Sequence, residues 1–479
     1  MTKSLILDLH NDLINGKKTI KDIVDNVKKI HDKISITNSI ITSTINSVDI
    51  NKLQTELKSN EDNLLYAIPY SLKDNVSTKD ILSTGGSLFL SNYVPPFSAT
   101  IYNLLLNKQA LLTSKASLDE FGLGGTGTYC YTGDVLNYYD NTRITGGSSS
   151  GSVNLVASGA DLFSIGTDTG DSIRHPSSFL GTVGYKPTYG IISRYGIFPY
   201  SPSLDHVGVI ANYVADCAIA ADTLVQYDEN DYTSQKIEKN FYKNLKEEKA
   251  LTFNVIKDIE KYLDDSVLDL YKNAIEQIKK QGHKINEVPV KWEVIKAIAP
   301  TYQIITYAEA NSCYANMTGI PFGKNFDENI TGYTNIITNN RTKGFGSQVK
   351  RRFTIGAYIT QNKNYEGIFK KARKLRALMI QENEMLLSNC DAYIIPSASS
   401  IAPKIDDVKN KKYSSNLADD LLQLANFGSS PSITIPVGFS KIEKLPFGIN
   451  INTKRFEDQK MFNIALTLEN IFKFNKENR

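Results

Sequence analysis

The stretch GGSSSGSVNLVASGADLFSIGTDTGDSIRHP, residues 146–176, carries two Gly/Ser turns with an apolar run between them. The first turn holds consecutive serines at positions 148, 149 and 150, and the second ends at Ser172. A bare Gly/Ser run is typical of a flexible linker. Here the neighbouring apolar residues are typical of core elements, so we interpret the stretch as turns inside an α/β layer.

Gly147, Ser149 and Gly151 also fit the G-x-S-x-G pattern of an α/β-hydrolase nucleophile elbow. That elbow follows a buried strand and needs a histidine late in the chain as general base. The preceding residues, LNYYDNTRIT, are polar, and the last of the five histidines is His283. The sequence therefore disfavours a Ser/His/Asp triad in the usual order.

A lysine can act as the base in place of histidine when its pKa is lowered. Burial lowers a lysine pKa by up to about 3–5 units, and neighbouring positive charge lowers it further. Lys73 follows a strand-like apolar run in AIPYSLKDN, residues 67–75, which favours burial of its ammonium group. Taken alone, Lys73 is better interpreted as one of the many lysines on a solvated surface. The second Gly/Ser turn gives it a partner.

That second turn is a candidate oxyanion hole. The apolar residues 162–165 predict a strand that runs directly into the turn. Backbone N–H groups that converge on one point in such a turn stabilise a developing negative charge. Taken alone, DTGDS is also typical of a polar turn or a helix N-cap. Together with Lys73 and Ser148 we predict an oxyanion hole formed by the N–H groups of Thr169, Gly170, Asp171 and Ser172.

The overall composition excludes several classes of protein. The 54 basic and 51 acidic residues give a net charge of +3, which is too small to predict nucleic-acid binding by itself. The cysteines show neither CxxC nor metal-ligand spacing, so we expect reduced thiols, a cytoplasmic location and no metal site: Cys130, Cys217, Cys313 and Cys390. The apolar runs are too short for a signal peptide or a membrane-spanning helix.

The chain is predicted to form one large α/β domain over residues 1–479. We expect a helical N-terminal region over 1–60, a catalytic core over 60–225, a charged surface connection over 227–250, and the rest of the sheet with the substrate-binding part over 251–479. Thr19 and Asp22 predict a capping box for a helix over residues 20–34. A long helix is predicted over residues 365–387, with a buried stripe at Ile368, Ala372, Leu375, Met379 and Leu386.

Lys73, Ser148 and Ser172 together resemble the Ser/Ser/Lys site of the amidase signature family. GGSSSGSV is similar to the GGSSGGS core of that family, and GTDTGDSIRHP to its G-S-D-T-G-G-S-I-R-x-P turn. The resemblance implies that Ser172 is the nucleophile, that Ser148 follows a cis bond from Gly147 and relays the proton, and that Lys73 is the base. It also implies the amidase signature fold, a large mixed central β-sheet covered by helices on both faces.

Further segments are similar to the A subunits of glutamyl-tRNA(Gln) amidotransferases, for example SKASLDEFGLGG at 114–125 and YVPPFSATI at 93–101. The similarity extends over nearly the whole chain. It implies that Tyr302, Arg352 and Asp419 hold the α-carboxylate and α-amino groups of glutamine, with Arg351 and Asp420 as adjacent alternatives. A guanidinium suits a carboxylate and an Asp suits an ammonium, so the two ends of the substrate would both be recognised.

The resemblance implies a glutaminase subunit. It implies that the chain hydrolyses glutamine and passes ammonia through a protein channel to partner subunits B and C. There Glu-tRNA(Gln) is activated with ATP and Mg and amidated, while this chain needs no cofactor. Two other functions stay open, a free-standing amidase for a different amide and a noncatalytic scaffold subunit.

Three residues depart from the family pattern. Asp171 stands where the family usually has Gly, which limits φ and adds a negative charge beside the nucleophile. Ser150 also stands in place of a Gly. His175 takes a position that is usually polar, and we interpret it as a packing residue rather than a base.

Overall fold

The structure, a computed structural model, describes residues 3–413 and 415–476. The strands are β1 Ile40–Ser43, β2 Pro69–Lys73, β3 Leu111–Ala116, β4 Phe163–Asp168, β5 Val183–Lys186, β6 His206–Ala211, β7 Thr252–Ile256, β8 Lys284–Val288, β9 Ala392–Pro396, β10 Ser432–Phe439 and β11 Pro446–Asn452.

The helices are α1 Leu5–Ile14, α2 Ile20–Lys33, α3 Ile50–Glu56, α4 Thr100–Asn107, α5 Ser150–Ala157, α6 Arg174–Leu180, α7 Val214–Leu224, α8 Asp265–Lys280, α9 Trp292–Lys296, α10 Ile298–Cys313, α11 Tyr333–Gly344, α12 Ser347–Thr360, α13 Asn362–Asn364, α14 Lys370–Leu386, α15 Ile405–Lys409, α16 Leu417–Asp420, α17 Gln423–Phe427 and α18 Asp458–Phe472. No helix in the described part of the chain is long and apolar enough to span a membrane.

Eleven strands of the described residues form one mixed sheet in the order β1-β3-β2-β4-β6-β5-β10-β11-β9-β7-β8. The pairs β2–β3, β2–β4, β7–β8 and β7–β9 are parallel, and the other pairs are antiparallel. Every residue of β4 and β6 is buried, so both faces of the sheet are covered there. The predicted mixed sheet with helices on both faces is confirmed.

The N-terminal region is helical with one exception. The predicted capping box of α2 is present, since Thr19 accepts from the N–H of Asp22 and the Asp22 carboxylate accepts from the N–H of Thr19. Residues 40–43 instead form β1, which pairs antiparallel with β3 and becomes one edge of the sheet. Four residues are too few to show a strand periodicity, so the sequence does not reveal this edge.

The long helix near residue 370 differs from its prediction. Its α-helical part begins at Lys370, after a π-helical turn over Tyr365–Phe369. Ala372, Met379 and Leu386 of the predicted stripe are buried, but Leu375 is 37% exposed. Asn383, outside the predicted stripe, is also buried, and its side-chain oxygen accepts a hydrogen bond from Tyr393 Oη at 2.8 Å, as a buried polar group requires.

Residues 227–250 contain neither a strand nor an α-helix within the described chain, as the charged composition predicts. The segment is nevertheless attached to the core. Phe241 is buried, and Asp222 of α7 accepts hydrogen bonds from the N–H groups of Phe241 at 2.7 Å and of Tyr242 at 3.0 Å.

The parallel strands β3, β2 and β4 bring the candidate catalytic residues together. Lys73 is the last residue of β2, Asp168 is the last residue of β4, and Leu72 lies opposite Ile165 in the register of the two strands. The carboxyl ends of parallel strands meet at one edge of a sheet, and ligand sites commonly lie there. Both Gly/Ser turns of the opening stretch therefore approach the end of β2.

Candidate active site

The amine of Lys73 lies among hydroxyl groups at the end of β2. Its Nζ atom is 2.7 Å from Ser148 Oγ, 3.0 Å from Ser149 Oγ and 2.9 Å from Thr167 Oγ1. Thr167 Oγ1 also accepts from Asn75 Nδ2 at 3.2 Å. Because a hydroxyl can donate or accept, this arrangement suits both the ammonium and the amine form of the lysine.

Burial lowers the pKa of Lys73 to about 7. The nearby charges act in the opposite direction, because the carboxylates of Asp119, Asp168, Asp205 and Asp171 all raise that pKa. The expectation of neighbouring positive charge is therefore wrong, and exclusion from water alone lowers the pKa. A base with a pKa near 7 has a large neutral fraction at physiological pH.

The turn that carries Ser148 is held by Asp119. The peptide bond between Gly147 and Ser148 is cis, as the resemblance implies. The N–H of Asp119 donates to Ser148 O at 3.3 Å, and its carboxylate accepts from the N–H groups of Thr126 at 3.2 Å and Gly127 at 3.1 Å in the neighbouring loop. A side chain at position 147 would meet Asp119 Oδ2 at 2.2 Å, so glycine is needed at this close approach.

The turn that carries Ser172 is joined directly to the first turn, since Ser149 N–H donates to Ser172 O at 3.2 Å. Within the described residues, the N–H groups of positions 169–172 pair with no protein acceptor. The next N–H, that of Ile173, donates to Asp168 Oδ2 at 3.0 Å. Consecutive unpaired N–H groups in a buried turn are suited to bind an anion, which is the geometry that an oxyanion hole requires.

A buried ion pair fixes the shape of the second turn. The guanidinium of Arg174 donates to both carboxylate oxygens of Asp168, at 3.0 and 3.1 Å, and to Gly170 O at 2.6 Å. Asn426 Nδ2 donates to Asp168 Oδ1 at 3.0 Å. Arg174 and these hydrogen bonds hold the pKa of Asp168 well below its usual range despite burial. The turn thus keeps its conformation without using the N–H groups of residues 169–172.

Replacing Arg174 with Ala is expected to lower the free energy of unfolding by about 3–5 kcal/mol, because Asp168 would remain as an unpaired buried charge. Chemical unfolding followed by circular dichroism measures this change. Arg373→Ala, the same substitution at an exposed position of α14, is the control and should cost less than about 0.5 kcal/mol. Equal effects of the two variants would contradict the structural role of the Arg174–Asp168 pair.

Tyr302 lies against the second turn, and Arg352 is connected to Tyr302 through Tyr200. A side chain at Gly170 would be 2.9 Å from the Tyr302 ring, so this ring covers the turn. Arg352 Nη1 donates to Tyr200 Oη at 2.7 Å, and the Tyr200 and Tyr302 rings meet edge to face at 6.4 Å. Sequence reasoning does not find Tyr200, since its position in YGIFPYSP carries no distinctive signal.

Arg352 has no carboxylate partner within the described residues, and its buried Nε atom has no hydrogen-bond partner there. Its alternative, Arg351, is exposed. A desolvated guanidinium without an internal anion is suited to bind the carboxylate of a ligand. The structure therefore favours Arg352 over Arg351 for that contact.

Asp419 lies beside His175 and is firmly held. Its carboxylate accepts from Ser399 N at 2.7 Å, Ser399 Oγ at 2.8 Å and Asn416 N at 2.9 Å, and it lies 3.6 Å from His175 Nε2. Burial raises the pKa of Asp419, but His175 and these hydrogen bonds outweigh it and lower the pKa. Burial raises the pKa of the adjacent Asp420 to about 7. Asp419 is thus the carboxylate that stays charged at neutral pH.

A cavity of about 330 Å³ adjoins the lysine through Asn75, Thr167 and Thr169. Two buried acceptors of its lining have no donor among the described residues, Asn75 Oδ1 and His206 Nε2. His206 Nδ1 lies 2.6 Å from Leu204 O, so Nδ1 carries the proton and Nε2 is the acceptor. Burial keeps the pKa of His206 well below its usual value, which leaves the ring neutral.

The structure brings Lys73, Ser148 and the turn over residues 169–172 together, with Tyr302 against that turn. It adds residues that sequence reasoning misses, namely Asn75, Asp119, Thr167 and Arg174, and it places Ser149 of the first Gly/Ser turn against Lys73. Asn75 and Thr167 flank the ends of two predicted strands, which is the only sequence signal that marks them. Asp119 and Arg174 hold backbone groups within eight residues of themselves, and Arg174 also reaches the distant Asn426.

Comparison with known proteins agrees with this geometry. A family model described as Amidase matches residues 19–462. The A subunit of the glutamyl-tRNA(Gln) amidotransferase of Mycoplasma genitalium is 43% identical over 481 residues, which cover 99% of this chain and 100% of the relative. The protein of the same name from Caldanaerobacter subterraneus is 35% identical over 474 residues, or 97% of this chain and 95% of the relative.

The fold comparison gives the same result. The crystal structure of the A subunit of the glutamyl-tRNA(Gln) amidotransferase from Thermotoga maritima superposes with a TM-score of 0.72 at 32% identity, covering 85% of this chain and 84% of that one. The chain therefore belongs to the amidase family, and within it to the A subunits of glutamyl-tRNA(Gln) amidotransferases.

Proposed function

We propose that this chain is the glutaminase subunit of a tRNA-dependent amidotransferase. It hydrolyses glutamine and supplies the ammonia with which Glu-tRNA(Gln) is converted to Gln-tRNA(Gln). The observation that carries the proposal is the distance of 2.7 Å between Lys73 Nζ and Ser148 Oγ, at a lysine whose pKa is lowered by burial to about 7. A neutral amine placed against a serine hydroxyl is a base ready to accept its proton.

Catalysis starts with a proton relay. Neutral Lys73 takes the proton of Ser148, and Ser148 takes the proton of Ser172, so that Ser172 Oγ attacks the carboxamide carbon of glutamine. The C=O bond opens to an oxyanion, which the N–H groups of residues 169–172 stabilise. Ser149 and Thr167 accept hydrogen bonds from the ammonium of Lys73 while it holds the extra proton.

The intermediate then collapses with cleavage of the C–N bond. The proton on Lys73 returns through Ser148 to the leaving nitrogen, which departs as ammonia and leaves a glutamyl ester on Ser172. Water attacks this ester by the same relay, glutamate is released and Ser172 is regenerated. The cavity beside Thr167 has unpaired acceptors, Asn75 Oδ1 and His206 Nε2, and these suit an N–H donor such as ammonia.

Glutamine is recognised through its two charged groups. Arg352 binds the α-carboxylate, Asp419 binds the α-ammonium, and Tyr302 covers the turn between them. The support for Arg352 is its lack of a carboxylate partner in the described chain, and the support for Asp419 is its lowered pKa. A carboxylate that remains ionised beside an ammonium is the pairing that this recognition needs.

Replacing Arg352 with Ala is expected to raise KM for glutamine about 30- to 100-fold and to change kcat much less, because a charge-assisted contact to the substrate is worth about 2–3 kcal/mol. Steady-state glutaminase kinetics measures the change. Arg351→Ala, at the exposed neighbouring position, is the matched control and should leave KM within about twofold. A free-standing amidase for an uncharged amide would instead be indifferent to both substitutions.

The partners proposed are amidotransferase subunits B and C, with Glu-tRNA(Gln) bound through the complex. Ammonia reaches the partner through a protein channel, and ATP and Mg act at the partner, so this chain requires no cofactor of its own. Affinity for tRNA depends on many contacts of basic residues with phosphates. The net charge of only +3 therefore supports tRNA binding through the partner subunits rather than by this chain. Co-purification from the native source, followed by glutaminase assays with and without the partners and tRNA, tests it.

A further inference from the structure

Asp205 joins the oxyanion turn to the loop that carries Tyr200. It directly precedes β6, and the antiparallel pairing of β6 with β4 places it beside Thr169. Asp205 Oδ1 accepts a hydrogen bond from Thr169 Oγ1 at 2.6 Å. Asp205 Oδ2 accepts from the N–H groups of Tyr200 at 2.8 Å and Ser201 at 2.9 Å. All four residues are buried, so the two carboxylate oxygens hold two different segments away from water.

Tyr200 extends this connection to the groups proposed to bind glutamine. Its Oη atom accepts a hydrogen bond from Arg352 Nη1 at 2.7 Å and donates to Thr306 Oγ1 at 3.0 Å. Its ring meets the Tyr302 ring edge to face at 6.4 Å. Because the phenol ring is rigid, a shift of the backbone at Tyr200 also shifts the oxygen that holds Arg352.

The loop over residues 200–205 is attached to α10 on its other side. Ser201 Oγ donates to Glu309 Oε2 at 2.6 Å, and the N–H of Ser203 donates to the same oxygen at 3.1 Å. Glu309 lies on α10, as Tyr302 does. The loop is thus held to the substrate-binding helix by Glu309 and to the oxyanion turn by Asp205.

We propose that Asp205 is a positioning residue that fixes the oxyanion turn relative to Arg352, so that both ends of glutamine are bound at once. The inference rests on the proposed function, in which the carboxamide lies at the turn and the α-carboxylate at Arg352. A substrate held at two points reacts fast only when the distance between those points matches its own length. Loss of Asp205 therefore affects the reaction at the turn and the binding at Arg352 together.

The test is a pair of double-variant cycles in the complex purified with this chain, with glutaminase kinetics at about pH 8.5. That pH lies above the pKa of Lys73, about 7, so the loss of the Asp205 charge hardly changes the fraction of neutral base. Asp205→Ala is expected to lower kcat about tenfold and to raise KM for glutamine about tenfold, because it releases the turn and the loop together.

The first cycle uses Thr169→Val, which removes the hydroxyl group and keeps the backbone N–H. Thr169→Val alone should lower kcat about tenfold, and adding Asp205→Ala should lower kcat by no more than about a further twofold. The second cycle uses Arg352→Ala, in which adding Asp205→Ala should raise KM by no more than about a further twofold. Effects that multiply in either cycle would overturn the proposal, since a purely structural loss acts independently of Thr169 and Arg352.

Asp228→Ala is the matched control. Asp228 is also a buried carboxylate, and it accepts hydrogen bonds from two hydroxyl groups and from Asn230. It should leave kcat and KM within about twofold. Changes as large as those of Asp205→Ala would contradict the proposal, because any buried carboxylate would then have the same effect. If Asp205→Ala does not fold, as judged by thermal unfolding, Asp205→Ser replaces it, since one hydroxyl cannot replace two carboxylate oxygens.

A second readout separates this proposal from the proposed function. The rate at which a fluorophosphonate probe labels Ser172 reports on the turn without any need for glutamine. If the parent protein labels at Ser172 but hydrolyses no glutamine, the glutaminase assignment fails, while labelling rates still test the first cycle. Asp205→Ala and Thr169→Val should each slow labelling about tenfold, and the double variant by no more than about a further twofold. An unchanged labelling rate in Asp205→Ala contradicts the proposal.

Discussion

Ser172→Ala is expected to abolish glutamine-dependent amidation by the assembled complex and to leave ammonia-dependent amidation intact. Removal of a catalytic nucleophile typically lowers kcat by about 10⁴-fold or more, because the remaining groups cannot form the covalent intermediate. Free ammonia bypasses this step, since it needs only the amidation site of the partner. Amidation assays with each nitrogen donor measure the two reactions separately.

The control is Ser150→Ala, a buried serine of the first turn whose hydroxyl lies 3.5 Å from Ser117 O and does not contact Lys73. It should retain glutamine-dependent activity within about threefold. Loss of both reactions in Ser172→Ala would contradict the assignment, because it would place Ser172 in the structure of the complex rather than in glutamine hydrolysis.

Lys73→Arg is expected to lower kcat for glutamine hydrolysis by about 10³-fold, the middle of the range of a general-base contribution. A guanidinium is not deprotonated at any working pH, so it cannot accept the proton of Ser148. Lys79→Arg, at an exposed position of the loop after β2, is the matched control. A Lys73→Arg variant with more than a tenth of the parental kcat would show that Lys73 is not the base.

The pH dependence of the parent protein gives the same test without substitution. In the proposed mechanism the reactive form of Lys73 is the neutral amine, and burial lowers its pKa to about 7. The rate should therefore rise with pH up to about 7 and level off above it, with a fall of about tenfold per pH unit on the acidic side. A rate that does not change between pH 6 and pH 8 would contradict the role of Lys73.

The parts of the fold that the sequence predicts are those with a local signal. The capping box at Thr19, the amphipathic face of α2 and the strand that ends at Lys73 all follow from the spacing of residues within one element. The strand β1 and the exposed Leu375 do not follow from local spacing. They depend on which distant segment packs against them, and that information is absent from a window of neighbouring residues.

In the candidate site, too, some residues are predicted by a local motif and other contacts are revealed only by the fold. Lys73, Ser148 and the turn over residues 169–172 lie in motifs whose resemblance to the family is local, and the structure places them together at the ends of β2 and β4. The acidic field around Lys73 is not visible in the motif, because it comes from carboxylates spread from Asp119 to Asp205. For the same reason the contact between His175 and Asp419, which are 244 positions apart, emerges only from the fold.

The central claim is that Ser172 carries the glutamyl group during turnover, with Ser148 as the proton relay. The most direct test is to quench the complex with acid while it hydrolyses glutamine and to locate the glutamyl ester by peptide mass spectrometry. The account predicts an ester on the peptide that contains Ser172, at that residue, and none in Ser172→Ala. A glutamyl ester on Ser148 would contradict it, since the base and nucleophile would then have to be assigned differently.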